Sequence, residues 1–152
     1  MDAFYQALKS VSGGTVLDVA TGRGDFIGCI AEFQNVTSVV ALDINPEPAG
    51  FAQRFAPLCV TYTQGNAELL PFADASFDTV CISNSLHHMT EMKPVINEMV
   101  RVLKKNGTMV INEMYSDTDD EQRRTHVLLH HWWGVIDSLT GIPHNTTFSK
   151  AE

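Results

Sequence analysis

The ten residues Leu17–Phe26, LDVATGRGDF, constrain the fold of this chain more than any other stretch. An apolar run ends in the small residues Ala20, Gly22 and Gly24, and a second apolar stretch begins at Phe26. Glycine adopts positive φ without penalty and keeps the backbone bare, so the pattern predicts a strand that turns sharply into a helix beneath a bound ligand.

The rest of the chain repeats that alternation. Apolar periodicity predicts helices over 2–10, 24–33, 46–55 and 93–105, with further helix in 118–140. Phe4, Leu8 and Val11 mark the first stripe, and Val95, Ile96, Met99, Val100 and Leu103 a later one. Short β-branched runs predict strands over 15–20, 38–44, 58–64, 77–83 and 108–115. Asn106–Gly107 reads as a helix C-cap, Gly50 as a weak point in the helix over 46–55, and Pro71 bars a helix interior from 65–78. Strands alternating with helices imply an α/β fold, a doubly wound parallel sheet of about five strands with right-handed crossovers. Ligands of such sheets lie beyond the carboxyl ends of the strands, where the strand order reverses.

Composition narrows the class. At 152 residues the expectation is one domain spanning 1–152. A hydrophobic fraction of 44% describes a globular chain, and its longest apolar stretches fall short of the ~20 residues of a membrane span. Asp2, Gln6 and Lys9 interrupt any signal-like segment. Cys29, Cys59 and Cys81 sit far apart in apolar segments, which suits reduced thiols in a cytoplasm and neither a disulfide framework nor a zinc site. The net charge of −8, without a basic stripe, argues against a nucleic-acid partner.

Three ligand classes use a glycine turn of this kind. A nicotinamide turn needs G-x-G-x-x-G, and Ile27 stands where the third glycine belongs. A P-loop needs Gly-Lys-Ser/Thr, and no lysine is near. The remaining pattern is A-x-G-x-G preceded by an acid: Asp18, Ala20, Gly22 and Gly24. Asp43 follows Gly22 by 21 positions at the end of the next strand, the right distance for an acid that grips ribose hydroxyls.

Together these pieces resemble the class I S-adenosylmethionine-dependent methyltransferases, in the ubiquinone/menaquinone-type small-molecule subgroup. VLDVATGRGDF is similar to the family's first motif, with Ala20 where a glycine is usual. ALDIN, NAELLPFADASFDTV and MVRVLKKNGTMVINE resemble later motifs, and LPFADASFD with LHHM is the most subgroup-specific piece. The resemblance covers about 10–115 and, less distinctly, 125–147. It implies a Rossmann-like fold and S-adenosylmethionine as cofactor, transferring methyl to a small-molecule acceptor by in-line displacement. Gly22 and Gly24, with Ala20 and Thr21, would lie under its methionine and ribose portions, and Asp18 would order the turn or meet the ammonium. Asp43 would accept the ribose hydroxyls and Ile44 pack on the adenine. Asn66, where Asp is usual, and the Ala67 amide would meet the adenine edge, and Ser83 and Asn84 the ammonium. For Asp43, Asn66 and Asn84 the plainer alternative is loop capping.

The histidines fall into two groups along the chain. His87 and His88 follow the fourth strand, where either could serve as a base for an acceptor that must lose a proton, although packing there is the commoner role. His126 and His130 share a helical spacing, but no carboxylate or cysteine is matched to them, so the expectation is no metal. HHWWG at 130–134 reads as aromatic packing over a pocket or at an interface. Family members continue through another helix and an antiparallel strand pair that 116–152 does not supply. The expectation is therefore a short form whose 116–152 segment serves the acceptor side or a homodimer, the fifth strand being an exposed edge. An alternative is a cofactor-binding module without turnover.

Overall fold

The computed structural model describes residues 3–141 and 143–149, and the start of the helix expected over 2–10, the Phe4 side chain and the tail at 150–152 lie outside them. Contacts divide the chain into two compact units, one of 1–83 with 93–111 and one of 84–92 with 112–152.

The first unit holds the sheet. A short helix α1, Ala3–Leu8, leads into β1, Ser12–Val19. Then come α2, Ile27–Ile30, β2, Gln34–Asp43, β3, Val60–Gln64, and β4, Phe77–Ser83. Helix α3, Met92–Val102, runs directly into β5, Leu103–Asn112. The strand order is β3-β2-β1-β4-β5, and the β1–β2, β1–β4 and β2–β3 ladders are parallel. The order reverses between β1 and β4, which places the switch point where the glycine turn leaves β1.

Both faces of the sheet are covered, which is why its strands read as near-continuous apolar runs. Val16, Val39, Ala41, Val60 and Cys81 pack with Phe26, Ile27, Ile30, Phe33 and Phe51. Leu17, Val19, Leu42, Val80 and Ile82 are equally buried, as are Val95, Met99 and Val102 of α3. Burying each such aliphatic or aromatic side chain stabilises the fold by about 1.5–3 kcal/mol before conformational entropy is counted.

Three expected elements differ. The helix over 24–33 is regular only at α2, flanked by i→i−3 bonds such as Ile27 N–H to Gly24 and Phe33 N–H to Ile30. The helix over 46–55 reduces to a 3₁₀ turn at Ala52–Phe55, because Gly50 is left-handed at φ 68° and Pro46 and Pro48 bring no N–H. Asn106–Gly107 is not a C-cap: α3 ends at Val102 and both residues lie inside β5. Tertiary pairing overrides the cap signal there, since the Arg101 and Val102 carbonyls accept from Ala75 and Ser76 and Gly107 closes on the Asp78 carbonyl.

The second unit is built on α4, Glu121–Thr140. Asp120 caps its start by accepting from the Arg123 amide, and Gly141 at φ 81° closes its end. Among the described residues, the segment after β5 adds only an isolated bridge between Tyr115 and Phe148.

Candidate functional site

The register fixes what stands at the sheet's carboxyl edge. Val19 is level with Leu42 on one side and Ile82 on the other, so Ala20, Asp43 and Ser83 come next, side by side. Ala20, Gly22 and Gly24 are all left-handed, at φ 55°, 54° and 84°. Thr21 N–H donates to the Leu42 carbonyl at 2.9 Å and Gly22 N–H to Asp43 Oδ2 at 2.8 Å. These two bonds stitch the turn to the end of β2.

The glycines differ in duty. A methyl at Gly24 would sit 2.5 Å from the Phe55 ring, so this glycine lets the turn close on Phe51 and Phe55. A methyl at Gly22 would meet nothing within 4 Å, so that face of the turn is open. Arg54 roofs the two phenylalanines, its guanidinium carbon 5.4 Å and 5.2 Å from their ring centres, and donates to the Arg23 carbonyl.

Asp18 is buried, and its carboxylate accepts from the Thr21 hydroxyl at 2.6 Å. Burial pushes its carboxyl up to about 7, nearby Asp43 adds to the rise, and the Thr21 bond opposes it. Asp43 accepts three hydrogen bonds: Gly22 N–H on Oδ2, and Asn45 N–H at 3.0 Å with Asn45 Nδ2 at 2.9 Å on Oδ1. A carboxylate offers about four acceptor positions, so one remains. Ile44 next to it is 67% exposed, a free apolar face.

Asn66 follows β3 and is exposed, while Ala67 is buried. The Asn66 side-chain carbonyl accepts from Glu68 N–H at 2.9 Å. Sequence reasoning missed what holds the stretch that follows. Arg101 on α3 donates to the Leu70 carbonyl at 3.0 Å and the Phe72 carbonyl at 2.8 Å while paired with Glu98 and Asp74, and Glu98 accepts from Leu70 N–H. Glu98 and Arg101 sit one turn apart on α3 beside its core face, which was the available signal. Ser83, half-buried, ends β4.

The second unit begins at Asn84, left-handed at φ 46°, whose N–H donates to the Asn112 carbonyl at 2.8 Å. Glu113 Oε1 accepts from Ser85 and Leu86 N–H, both at 2.7 Å, and Oε2 lies 2.8 Å from His87 Nδ1. Burial raises the Glu113 carboxyl, but these bonds outweigh it and hold the group below the usual range. His87 is fully buried against His88, His130 and His144, with ring centres 4.2 Å, 4.6 Å and 5.4 Å away. The two histidine groups of the sequence are thus one cluster, and His126 stays outside it, exposed on α4. Burial, with the neighbouring imidazoles, lowers His88 and brings His130 down to about 4. Trp132 and Trp133 are both exposed.

A cleft of about 360 Å³ lies elsewhere, between Ser12, Asp78, Lys104 and Gly107 at the amino ends of β1 and β4. A parallel sheet presents its ligand-binding backbone at the opposite end, so the turn is the better candidate whatever the cleft's size.

The family model described as a methyltransferase domain matches residues 17–111. A demethylmenaquinone methyltransferase of Renibacterium salmoninarum is 38% identical over 112 residues, 74% of this chain and 46% of that protein. The ubiquinone/menaquinone biosynthesis C-methyltransferase UbiE of Stenotrophomonas maltophilia is 38% identical over 124 residues, 77% of this chain and 49% of that one. The crystal structure of the YcgJ protein of Bacillus subtilis shares the fold, with TM-score 0.71 at 24% identity over 97% of this chain and 61% of that one. The chain spans about half the length of the curated relatives it matches.

Proposed function

This chain belongs to the methyltransferase domain family, and from that premise we propose that it binds S-adenosylmethionine at the β1 turn and transfers the methyl group to a small-molecule acceptor. The observation that carries the reading is the bond between Gly22 N–H and Asp43, which joins an open, bare turn to a carboxylate at the right place for a sugar. When bound, the cofactor supplies an electrophilic methyl on a sulfonium, and the protein's task is alignment and exclusion of water.

The residues present fit that ligand. Gly22 leaves room for the body of the ligand, with Ala20, Thr21 and Gly24 shaping the turn around it. Asp43 takes one ribose hydroxyl with its spare acceptor position and a second as Asn45 Nδ2 moves aside. Ile44 offers its exposed side chain to the adenine face, and Asn66 and the Ala67 amide its edge. Asp18, already tied to Thr21, sets the turn's shape and gives up its proton as an ammonium approaches. The Ser83 carbonyl receives that ammonium.

The acceptor is small and not a polyanion, in keeping with a net charge of −8. Demethylmenaquinone, named in the relative from R. salmoninarum, is the first acceptor to try. Among the described residues no helix is long and apolar enough to cross a membrane. We place the protein in the cytoplasm, and read the exposed Leu128, Leu129, Trp132, Trp133 and Leu139 of α4 as a self-association surface. Calorimetry with S-adenosylmethionine and its demethylated product, followed by transfer of radiolabelled methyl to demethylmenaquinone and other small acceptors, tests the reading. Failure of the folded protein to bind either nucleoside at millimolar concentration rejects it. Light scattering that finds only monomer at high concentration rejects the association surface alone.

A further inference from the structure

Four histidines of the second unit converge without any sequence motif to announce them. His87 Nε2 lies 3.1 Å from His130 Nε2, and His130 Nδ1 lies 3.4 Å from His144 Nε2. At the two ends of this chain of rings stand carboxylates: Glu113 Oε2 is 2.8 Å from His87 Nδ1, and Asp137 Oδ2 is 2.8 Å from His144 Nδ1. A ring nitrogen of His87, one of His88 and one of His130 all lie within 4.8 Å of one another.

Counting hydrogens shows what the arrangement lacks. Each of these four contacts needs one hydrogen between its two heavy atoms, and three neutral imidazoles bring only three. The ionised carboxylates accept only, so His87 and His144 must carry theirs on Nδ1. That leaves lone pairs on His87 Nε2 and His144 Nε2, both aimed at His130, which has one N–H to give. If His130 donates from Nδ1 to His144, the 3.1 Å His87–His130 contact sets two lone pairs face to face; if it donates from Nε2 to His87, the 3.4 Å His130–His144 contact is the one left without a hydrogen. His88 adds a third lone pair: its Nδ1 is buried with no partner, its hydrogen bond to the Pro143 backbone being made by the other nitrogen. In the first of these tautomers His87 Nε2, His130 Nε2 and His88 Nδ1 are three lone pairs without a hydrogen, a set of donors suited to a cation.

We propose that His87 Nε2, His88 Nδ1 and His130 Nε2 bind a divalent transition-metal ion of the zinc class. A tetrahedral ion about 2.0–2.1 Å from each nitrogen sets its ligands about 3.3 Å apart, close to the separation of the His87 and His130 nitrogens. Imidazole nitrogens suit zinc, copper and nickel. The outer partners take the form that orients such ligands: Glu113 holds His87, and Asp137 holds His144, which in turn accepts from His130 Nδ1. Three protein ligands leave a fourth position for water or another small donor. Gly134 permits the arrangement, because a methyl there would come within 2.7 Å of the His144 ring.

The site is independent of the methyl-transfer reading, and its test needs no cofactor. The full chain, made without a histidine tag and stripped with a chelator, is titrated with Zn²⁺ by calorimetry and with Co²⁺ by visible absorption. One equivalent should bind with a Kd at or below about 10 μM. His88→Ala and His130→Ala should each weaken it about 100-fold, Glu113→Gln about 10- to 100-fold, and His126→Ala not at all. Circular dichroism establishes that each variant is folded. If His130→Ala does not fold, His88→Ala, whose Nδ1 loses no protein partner, decides the matter. No binding by the folded wild type at 100 μM free Zn²⁺ overturns the proposal, and so does binding that folded His88→Ala retains in full or that His126→Ala abolishes.

Discussion

Gly22 and Asp43, on different strand ends, are joined by a 2.8 Å bond from backbone amide to carboxylate. The bond makes the open turn and the Asp43 carboxylate one rigid object. Replacing Asp43 with Ala removes the acceptor for the ligand and the anchor for the turn together. A hydrogen bond to a charged group is worth about 1.5–3 kcal/mol, so cofactor affinity should fall about 10- to 100-fold, read by calorimetry. An affinity unchanged by Asp43→Ala contradicts the assignment.

Asp18 gives the first unit a pH dependence of definite sign. Its carboxyl is raised from 3.8 to about 7, so between those values the native state holds a proton that the unfolded chain releases. Stability contributed by this group is therefore present below about pH 4 and falls as pH rises to about 7. The loss is on the order of 4 kcal/mol at most. Denaturant titrations of wild type and Asp18→Asn at pH 4.5 and pH 7.5 isolate it, because the difference between the two proteins should shift in favour of the variant at the higher pH.

Ala20 sits at φ 55°, a conformation that an alanine side chain resists and glycine accepts. Ala20→Gly should stabilise the protein by about 1 kcal/mol, seen as a Tm rise of about 3 °C. It should leave cofactor affinity equal or improved. A lower Tm would mean that the methyl group packs usefully where it stands.

Arg101 reaches the Leu70 and Phe72 carbonyls from α3 and fixes the loop that follows Asn66. Arg101→Met keeps the aliphatic stem and deletes the donors. The expected result is a cofactor Kd raised several-fold with the circular dichroism spectrum unchanged, since the effect is positional. Faster amide exchange over 66–72 in the same variant provides the structural readout.

The sheet was legible because its strands are short, β-branched and separated by turn residues, and β4 falls on the expected residues 77–83. Burial on both faces makes such strands readable from composition alone. The helices were less so. Gly50 stops the second crossover helix, and the residues after Val102 pair with the sheet although Asn106–Gly107 has the look of a terminus. At the site, the spacing of Gly22 and Asp43 singled out Asp43 as a strand-end acid, but the bond between the two was not foreseen, because it depends on the register that carries both strand ends together. The meeting of His87 and His88 with His130 and His144 had no such cue. It depends on the route of the chain after β4 and β5, and no local period records that route.

Asp43 already carries three donors from its own chain, and this has a consequence for selectivity. A nucleoside bearing a single hydroxyl would fill the last vacancy and leave Asn45 undisturbed, whereas its diol counterpart must win the second contact from that asparagine. Deoxygenation at one sugar carbon should then cost this pocket far less than a naked carboxylate would charge for it.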